Sequence, residues 1–221
     1  ARFSNSLPIL AADVNQTIFK AVLVGYIVGC GAGFVAAILA DHELPPADVS
    51  RVGGSVMGYV VTSPGTARAA LEPIAELFGV SVYDRGGGLA FRDENALVGA
   101  EAAVGPLVVP DNSTTLERVR IGDMELPDAA ELSFVEPFQD YQTSVARTEL
   151  PEADAGGTRA ISIAGGMEDG SAAAVLEDWL RRKHLARDTV SFSVPATEVD
   201  IAPGALVTVT GARGAFLVTD V

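Results

Sequence analysis

Residues 21–40 read AVLVGYIVGCGAGFVAAILA and carry no charge. Few architectures accommodate twenty uncharged, mostly apolar residues in a row, because that is about the length that spans a bilayer. Gly25, Gly29 and Gly33 recur every four residues, the small-xxx-small spacing of packed membrane helices. Set against this, the four glycines at 25, 29, 31 and 33 burden a water-soluble helix. The run also divides in two. Residues 21–28 are rich in β-formers and residues 34–39 favour a helix, so a strand, a glycine turn and a helix account for it without lipid. A signal peptide fits less well, since Lys20 is a weak basic region and no clear cleavage site follows.

The same run contains Gly31-Ala-Gly33-Phe-Val-Ala36, which fits the G-x-G-x-x-A fingerprint of dinucleotide sites. There the glycines let backbone amides approach a pyrophosphate, and an acidic residue about twenty positions on ends a second strand and holds a ribose. Asp48 is the nearest candidate, but it lies in a Pro-rich stretch where no clean strand ends, and no repeated βαβ series follows. A glycine-rich turn in a packed α/β segment explains the pattern as well.

The chain has 221 residues, of which 48% are hydrophobic and 20% charged, enough apolar material for a sizeable core and too much for a disordered chain. The net charge of −14 sets the chain against phosphate backbones unless a local basic patch exists. Cys30 is the only cysteine, which excludes an internal disulfide and any all-cysteine metal site. Its apolar surroundings fit a buried structural thiol. The two histidines, His42 and His184, become bases only with partners the sequence does not reveal. There is no G-x-S-x-G, P-loop or His-x-x-x-His pair, and the acidic residues single out no glycosidase-type carboxylate pair.

Along the chain, residues 34–44 read as a short helix closed by Pro45-Pro46, and 56–61 as a strand. Ala67, Ala70, Leu71, Ile74, Leu77 and Phe78 fall on one helical face, with capping hydroxyls before them and Gly79 as the stop. Pro73 conflicts with that helix, which must be kinked there or begin later. Residues 80–83 and 89–92 alternate around a glycine turn and predict a hairpin; with no Lys-Ser/Thr pair after it, Gly86-Gly87-Gly88 is not read as a phosphate cradle. Residues 93–115 read as an inter-domain crossing. Beyond them, strands are expected at 118–121, 131–136, 143–148, 159–163, 190–194, 206–210 and 215–219, a pattern suited to a barrel or sandwich. One helix interrupts them, with Ser171 as N-cap and Val175, Leu176, Trp179 and Leu180 as its apolar face. Its closing Arg181-Arg182-Lys183-His184 is read as a solvated face whose cations complement the helix dipole.

Three segments together resemble one family. The first runs from Asp48 through Gly58-Tyr59, the Ala67–Phe78 face and Gly88-Leu-Ala-Phe91-Arg92. The second holds Glu125-Leu-Pro127, residues 131–135 and Asp140-Tyr141-Gln142. The third holds Trp179-Leu180, residues 190–195 and Ile201-Ala-Pro-Gly204. They are similar to the tail-tip hub and host-specificity proteins of siphophage-like particles, most closely the large tail protein of alphaproteobacterial gene transfer agents. The resemblance covers roughly residues 34–221 and departs at Ala205, where the family's turn usually carries Asp. Its motifs are structural, so no catalytic, cofactor-binding or metal-binding residue follows from them, and no cofactor is expected. Family members are much longer, which implies a fragment.

The resemblance implies an α+β fold: β-barrel-like hub domains combined with a small α/β domain. In the chain this corresponds to an N-terminal segment at 1–30, a small α/β domain at 31–105 and a β-rich, barrel-like domain at 106–221 with one helix near 171–185. It also implies a non-enzymatic role in a homotrimeric ring that adapts the tail tube to the tip, contacts the distal tail and other tip proteins, and assists DNA delivery. Such a protein would be made in the bacterial cytoplasm and would meet a membrane only through the assembled particle. Three other readings stand beside it: a cell-surface glycan-binding module, which calls for exposed aromatics; a nucleotide-dependent enzyme or hydrolase, supported only by the G-x-G-x-x-A run; and a membrane-anchored protein.

Overall fold

A computed structural model describes residues 21–22, 30–61, 65–85, 87–94, 98–109, 114–151, 157–195, 201 and 205–219. In chain order the elements are β1 (Ala21–Val22), α1 (Cys30–Asp41), β2 (Asp48–Arg51), β3 (Gly58–Val60), α2 (Ala67–Phe78), β4 (Val80–Asp84), β5 (Leu89–Asp93), β6 (Val98–Val104), β7 (Leu116–Arg120), β8 (Ala129–Glu136), β9 (Gln142–Glu149), β10 (Thr158–Gly166), α3 (Asp169–Leu185), β11 (Asp188–Phe192), β12 (Ala205–Val209) and β13 (Ala215–Leu217). The fold is α+β, as expected.

The expected barrel is absent: among the described residues no sheet closes. The strands form four open sheets, ordered β1-β3-β10-β8-β9, β2-β5-β4, β13-β12-β6 and the ribbon β11-β7. Closure needs the two outer strands of one tilted sheet to pair with each other. In the largest sheet, of five strands, the outer strands β1 and β9 do not pair, and its inner face is taken up by helices.

Helix α1 begins at Cys30, four residues before the expected start, so Gly31 and Gly33 lie in its first turn and not in a connecting turn. It also ends before the prolines. The Glu43 amide donates to the Ala40 carbonyl (3.1 Å) and the Leu44 amide to the Leu39 carbonyl (2.9 Å), with Glu43 in the left-handed region at φ 54°. These two bonds form a Schellman cap. Of the apolar run, residues 23–29 lie outside the described residues. No helix among those described is long and apolar enough to cross a membrane.

Helix α2 starts where its periodicity places it, so Pro73 sits inside the helix. Thr66 caps it, its hydroxyl accepting from the Ala69 amide at 3.2 Å, and Gly79 ends it in the left-handed region. The hairpin β4–β5 forms in register from Val80↔Asp93 to Asp84↔Leu89. The seven strands expected beyond residue 116 form within a few residues of their predicted bounds. The 93–115 crossing contains a strand that the pattern did not reveal, β6, which pairs in parallel with β12. Helix α3 is capped at Glu168, not Ser171, and without a side-chain hydrogen bond.

The larger core gathers Phe34, Ile38 and Leu39 of α1, Leu71, Ile74 and Leu77 of α2, Leu176, Trp179 and Leu180 of α3, and Leu132 and Phe134 of β8. Strand β8 buries Ala130, Leu132, Phe134 and Glu136 on one face, while on its other face only Ala129 at the start is buried and the rest is half-buried. A smaller core centres on Val104, Val207 and Val209, flanked by Leu116, Phe192 and Phe216.

Candidate functional site

The residues that suggested chemistry are held in structural roles. The Gly31 amide donates to the Gly54 carbonyl at 3.2 Å, and the Gly53 carbonyl oxygen occupies the space a Cβ on residue 31 would need. The glycine therefore admits a loop of this chain, and its amide is already used. Gly33 meets nothing where a Cβ would stand, and Ala36 is exposed, so neither packs a helix on a strand as the fingerprint requires. Cys30 is the first residue of α1; its side chain lies outside the described residues.

Asp48 opens β2 and serves the local fold. Its Oδ1 accepts from the Ser50 hydroxyl (2.6 Å) and the Ser50 amide (3.1 Å), and Arg85 Nη1 donates to Oδ2 (3.2 Å) from the β4–β5 turn. The Ser50 hydroxyl above all, then the Ser50 amide and Arg85, hold the carboxyl below its usual range. A carboxylate whose pKa is lowered by folding stabilises above its unfolded value of 3.8, and that stability is lost as pH falls through the lowered value. Asp48→Asn should therefore lower Tm at about pH 7, with the gap to the parent chain narrowing as pH falls toward about 2. Thermal melts of both proteins at the two pH values test this, and an equal gap at both would refute it.

Both histidines face backbone carbonyls. His42 has Nδ1 2.8 Å from the Ile38 oxygen and Nε2 3.2 Å from the Gly65 oxygen, which ties the end of α1 to the entry of α2. His184 Nε2 lies 2.8 Å from the Pro127 oxygen. Among the described residues, the hydrogen-bond partners of both are backbone carbonyls and not hydroxyl or thiol side chains. Among the described residues no group of three or more His, Cys, Asp or Glu side chains could hold a metal ion.

The basic end of α3 differs from the solvated face expected of it. Arg181 conforms, pairing with Glu177 at 3.0 Å while well exposed. Arg182 does not: only 13% of its side chain is exposed. It pairs with Asp178 and donates to the Leu77 (2.7 Å) and Glu76 (3.4 Å) carbonyls at the C-terminus of α2. It thus satisfies carbonyls left over at a helix end and places a cation at the negative pole of that helix. Lys183 lies 3.4 Å from Glu76 and 5.2 Å from the centroid of the Trp179 ring. The sequence offered only the Asp178–Arg182 spacing as a hint of this anchor.

Among the described residues, the largely exposed aromatics lie on the β8–β9 turn. Phe138 and Tyr141 are largely exposed, and Asp140 and Tyr141 are both left-handed at φ 54° and 58°. Glu136 is buried beneath them and accepts from Gln139 Nε2 (3.0 Å) and Ser144 Oγ (3.1 Å), which fixes the turn from inside. The Asp140-Tyr141-Gln142 motif is therefore a hairpin turn. Tyr59, of the Gly58-Tyr59 motif, donates its hydroxyl to the Ala70 carbonyl (3.1 Å), and burial pushes its phenol pKa up.

A family profile described as "Putative phage tail protein" matches residues 66–221. No curated protein matches the chain. Among solved structures, a chain of the virion of a native gene transfer agent particle superposes with a TM-score of 0.77 at 26% identity, over 86% of this chain and 44% of that one. This chain thus spans less than half the length of that relative. The tail protein from Neisseria meningitidis MC58 superposes with a TM-score of 0.51 at 14% identity, over 90% of this chain and 63% of that one, a likeness of fold.

Proposed function

From the premise that the chain belongs to this family of phage tail proteins, we propose that it builds the hub of a phage-like tail tip. It is a structural component of a phage-like tail, related to a protein of the gene transfer agent virion. In the proposed role three copies form a ring that joins the tail tube to the tip, binds the neighbouring tail proteins and guides DNA toward the recipient cell, without enzymatic activity. The observation that carries the proposal is the likeness to a virion chain at a TM-score of 0.77. Two further features support it. The chain's acidity, at a net charge of −14, suits a surface past which DNA slides without sticking. The outer edge of β9, eight residues long and in unbroken register with β8, is the kind of strand edge that assemblies cover.

The experiment is to delete the gene in a particle-producing strain and to measure the native mass of the purified protein by light scattering. The expected results are particles with filled heads that no longer transfer DNA, and a mass three times the 22.8 kDa of one chain. Undiminished transfer by the deletion strain would overturn the tail role. Intact transfer dependence with a strictly monomeric protein in both solution and tail would overturn the ring.

A further inference from the structure

The exposed face of α2 and the edge of β10 enclose a groove of about 400 Å³ that no part of the proposed function uses. One wall is Ala69, Glu72, Pro73 and Glu76, spaced along two turns of the helix; the other is residues 159–162 of the strand. Strand β10 pairs with β8 from Thr158 to Ser162, but β3 reaches its opposite edge only at Gly165 and Gly166. Among the described residues, nothing pairs with that edge beside the groove. Alternate residues of a strand turn both their N–H and C=O to one side, so the floor of the groove carries backbone donors and acceptors in strand spacing.

The helix wall adds to this. Pro73 has no N–H to give the Ala69 carbonyl, and both residues lie on the exposed face that borders the groove. The charges are uneven as well. Glu72 lies 3.9 Å from Arg68, and Glu76 lies 3.4 Å from Lys183, so the carboxylates are compensated. Arg159 is exposed and makes no ion pair among the described residues. Ile161 and Pro73 supply the apolar part between them.

We infer that this groove is a strand-addition site that takes an extended peptide segment bearing a carboxylate, supplied by another polypeptide. The segment pairs its backbone with the edge of β10, lays β-branched side chains between Ile161 and Pro73, and sets its carboxylate on Arg159. Strand addition draws affinity from main-chain hydrogen bonds and specificity from alternate side chains, which is what this groove offers. A nucleic acid is disfavoured by the two glutamates on the wall, and an open trough along a strand does not enclose a small molecule. The inference does not rest on the tail reading, because it concerns binding by the isolated chain.

The test uses the full chain and a fluorescent peptide, acetyl-Thr-Val-Glu-Val-Thr-Val-amide, followed by anisotropy. A fully N-methylated copy, unable to pair as a strand, is the control. Saturable binding of the first peptide alone is expected, weakened about tenfold or more by Arg159→Glu, since a charge-assisted pair is replaced by a repulsion. Arg159 is exposed, so that variant should melt with the parent chain. Equal binding of the two peptides overturns the inference. So does an absence of saturation up to about 1 mM. Binding that Arg159→Glu leaves unchanged also overturns it, because the peptide would then be on another edge, such as that of β9.

Discussion

Gly54→Val should destabilise the protein by roughly 2–5 kcal/mol, a large part of the 5–15 kcal/mol that holds a typical domain together. Two effects add. Gly54 has φ +91°, a conformation that disfavours any side chain with a Cβ by roughly 1–2 kcal/mol. The space its Cβ would take is filled by the Phe78 ring, whose Cε1 would lie 2.8 Å away and whose Cδ1 would lie closer still. Phe78 belongs to the larger core and the Gly54 carbonyl accepts from the Gly31 amide, so neither ring nor loop can withdraw without loosening α1 or α2. Overpacking of this kind adds about 1–3 kcal/mol. Gly87→Val separates the two effects. Gly87 has φ +90° with nothing within 4 Å of the Cβ position, so only the backbone contribution of roughly 1–2 kcal/mol remains. Urea melts of the two variants measure the difference. Equal losses would mean that the Gly54–Phe78 contact contributes nothing.

Elements governed by local pattern were legible in the sequence. The β8 residues alternate, and they bury every second side chain as that alternation demands. The apolar face of α2 was readable through a proline, because burying Leu71, Ile74, Leu77 and Phe78 outweighs one lost helical bond on the exposed side. What failed was decided at long range. Strand β6 reads VGAEAAV, poor in β-formers, and forms because β12, about a hundred residues later, pairs with it in parallel. The start of α1 was misplaced for the same kind of reason. Gly31 looked like a turn residue, but its lack of a side chain serves contact with the Gly53-Gly54 loop.

The roles of the candidate site residues were less legible than the fold. Nothing in the local sequence says that Arg182 reaches the Leu77 carbonyl, 105 residues away. Pro73 was conspicuous, yet only the position of β10 beside it gives its missing N–H a consequence. The G-x-G-x-x-A run shows the converse case. A motif with the right letters fails when its amide is already bonded within the chain, and that can be checked only against a structure.

Trp179→Ala should be as severe as Gly54→Val, by the opposite route. Trp179 is 2% exposed and lies among Leu176, Leu180, Leu132 and Phe134 in the larger core, where α3 meets the sheet. Truncating a buried tryptophan to alanine removes its transfer energy and leaves a cavity, together about 3–5 kcal/mol. The Lys183 ammonium 5.2 Å from the ring centroid would lose its partner as well, a further ~0.5–1 kcal/mol at an exposed site. Trp179→Phe should behave quite differently. The indole Nε1 is buried and has no hydrogen-bond partner among the described residues, so the native residue is expected to carry a desolvation cost of roughly 1–3 kcal/mol. Phenylalanine removes that cost while giving up part of the ring's volume, and the two changes should offset to within about 1.5 kcal/mol. Chemical denaturation of both variants is the measurement. If Trp179→Phe destabilised as much as Trp179→Ala, the indole N–H would have to be satisfied in solution. If Trp179→Ala were mild, the packing of α3 on β8 would not be what holds the larger core together.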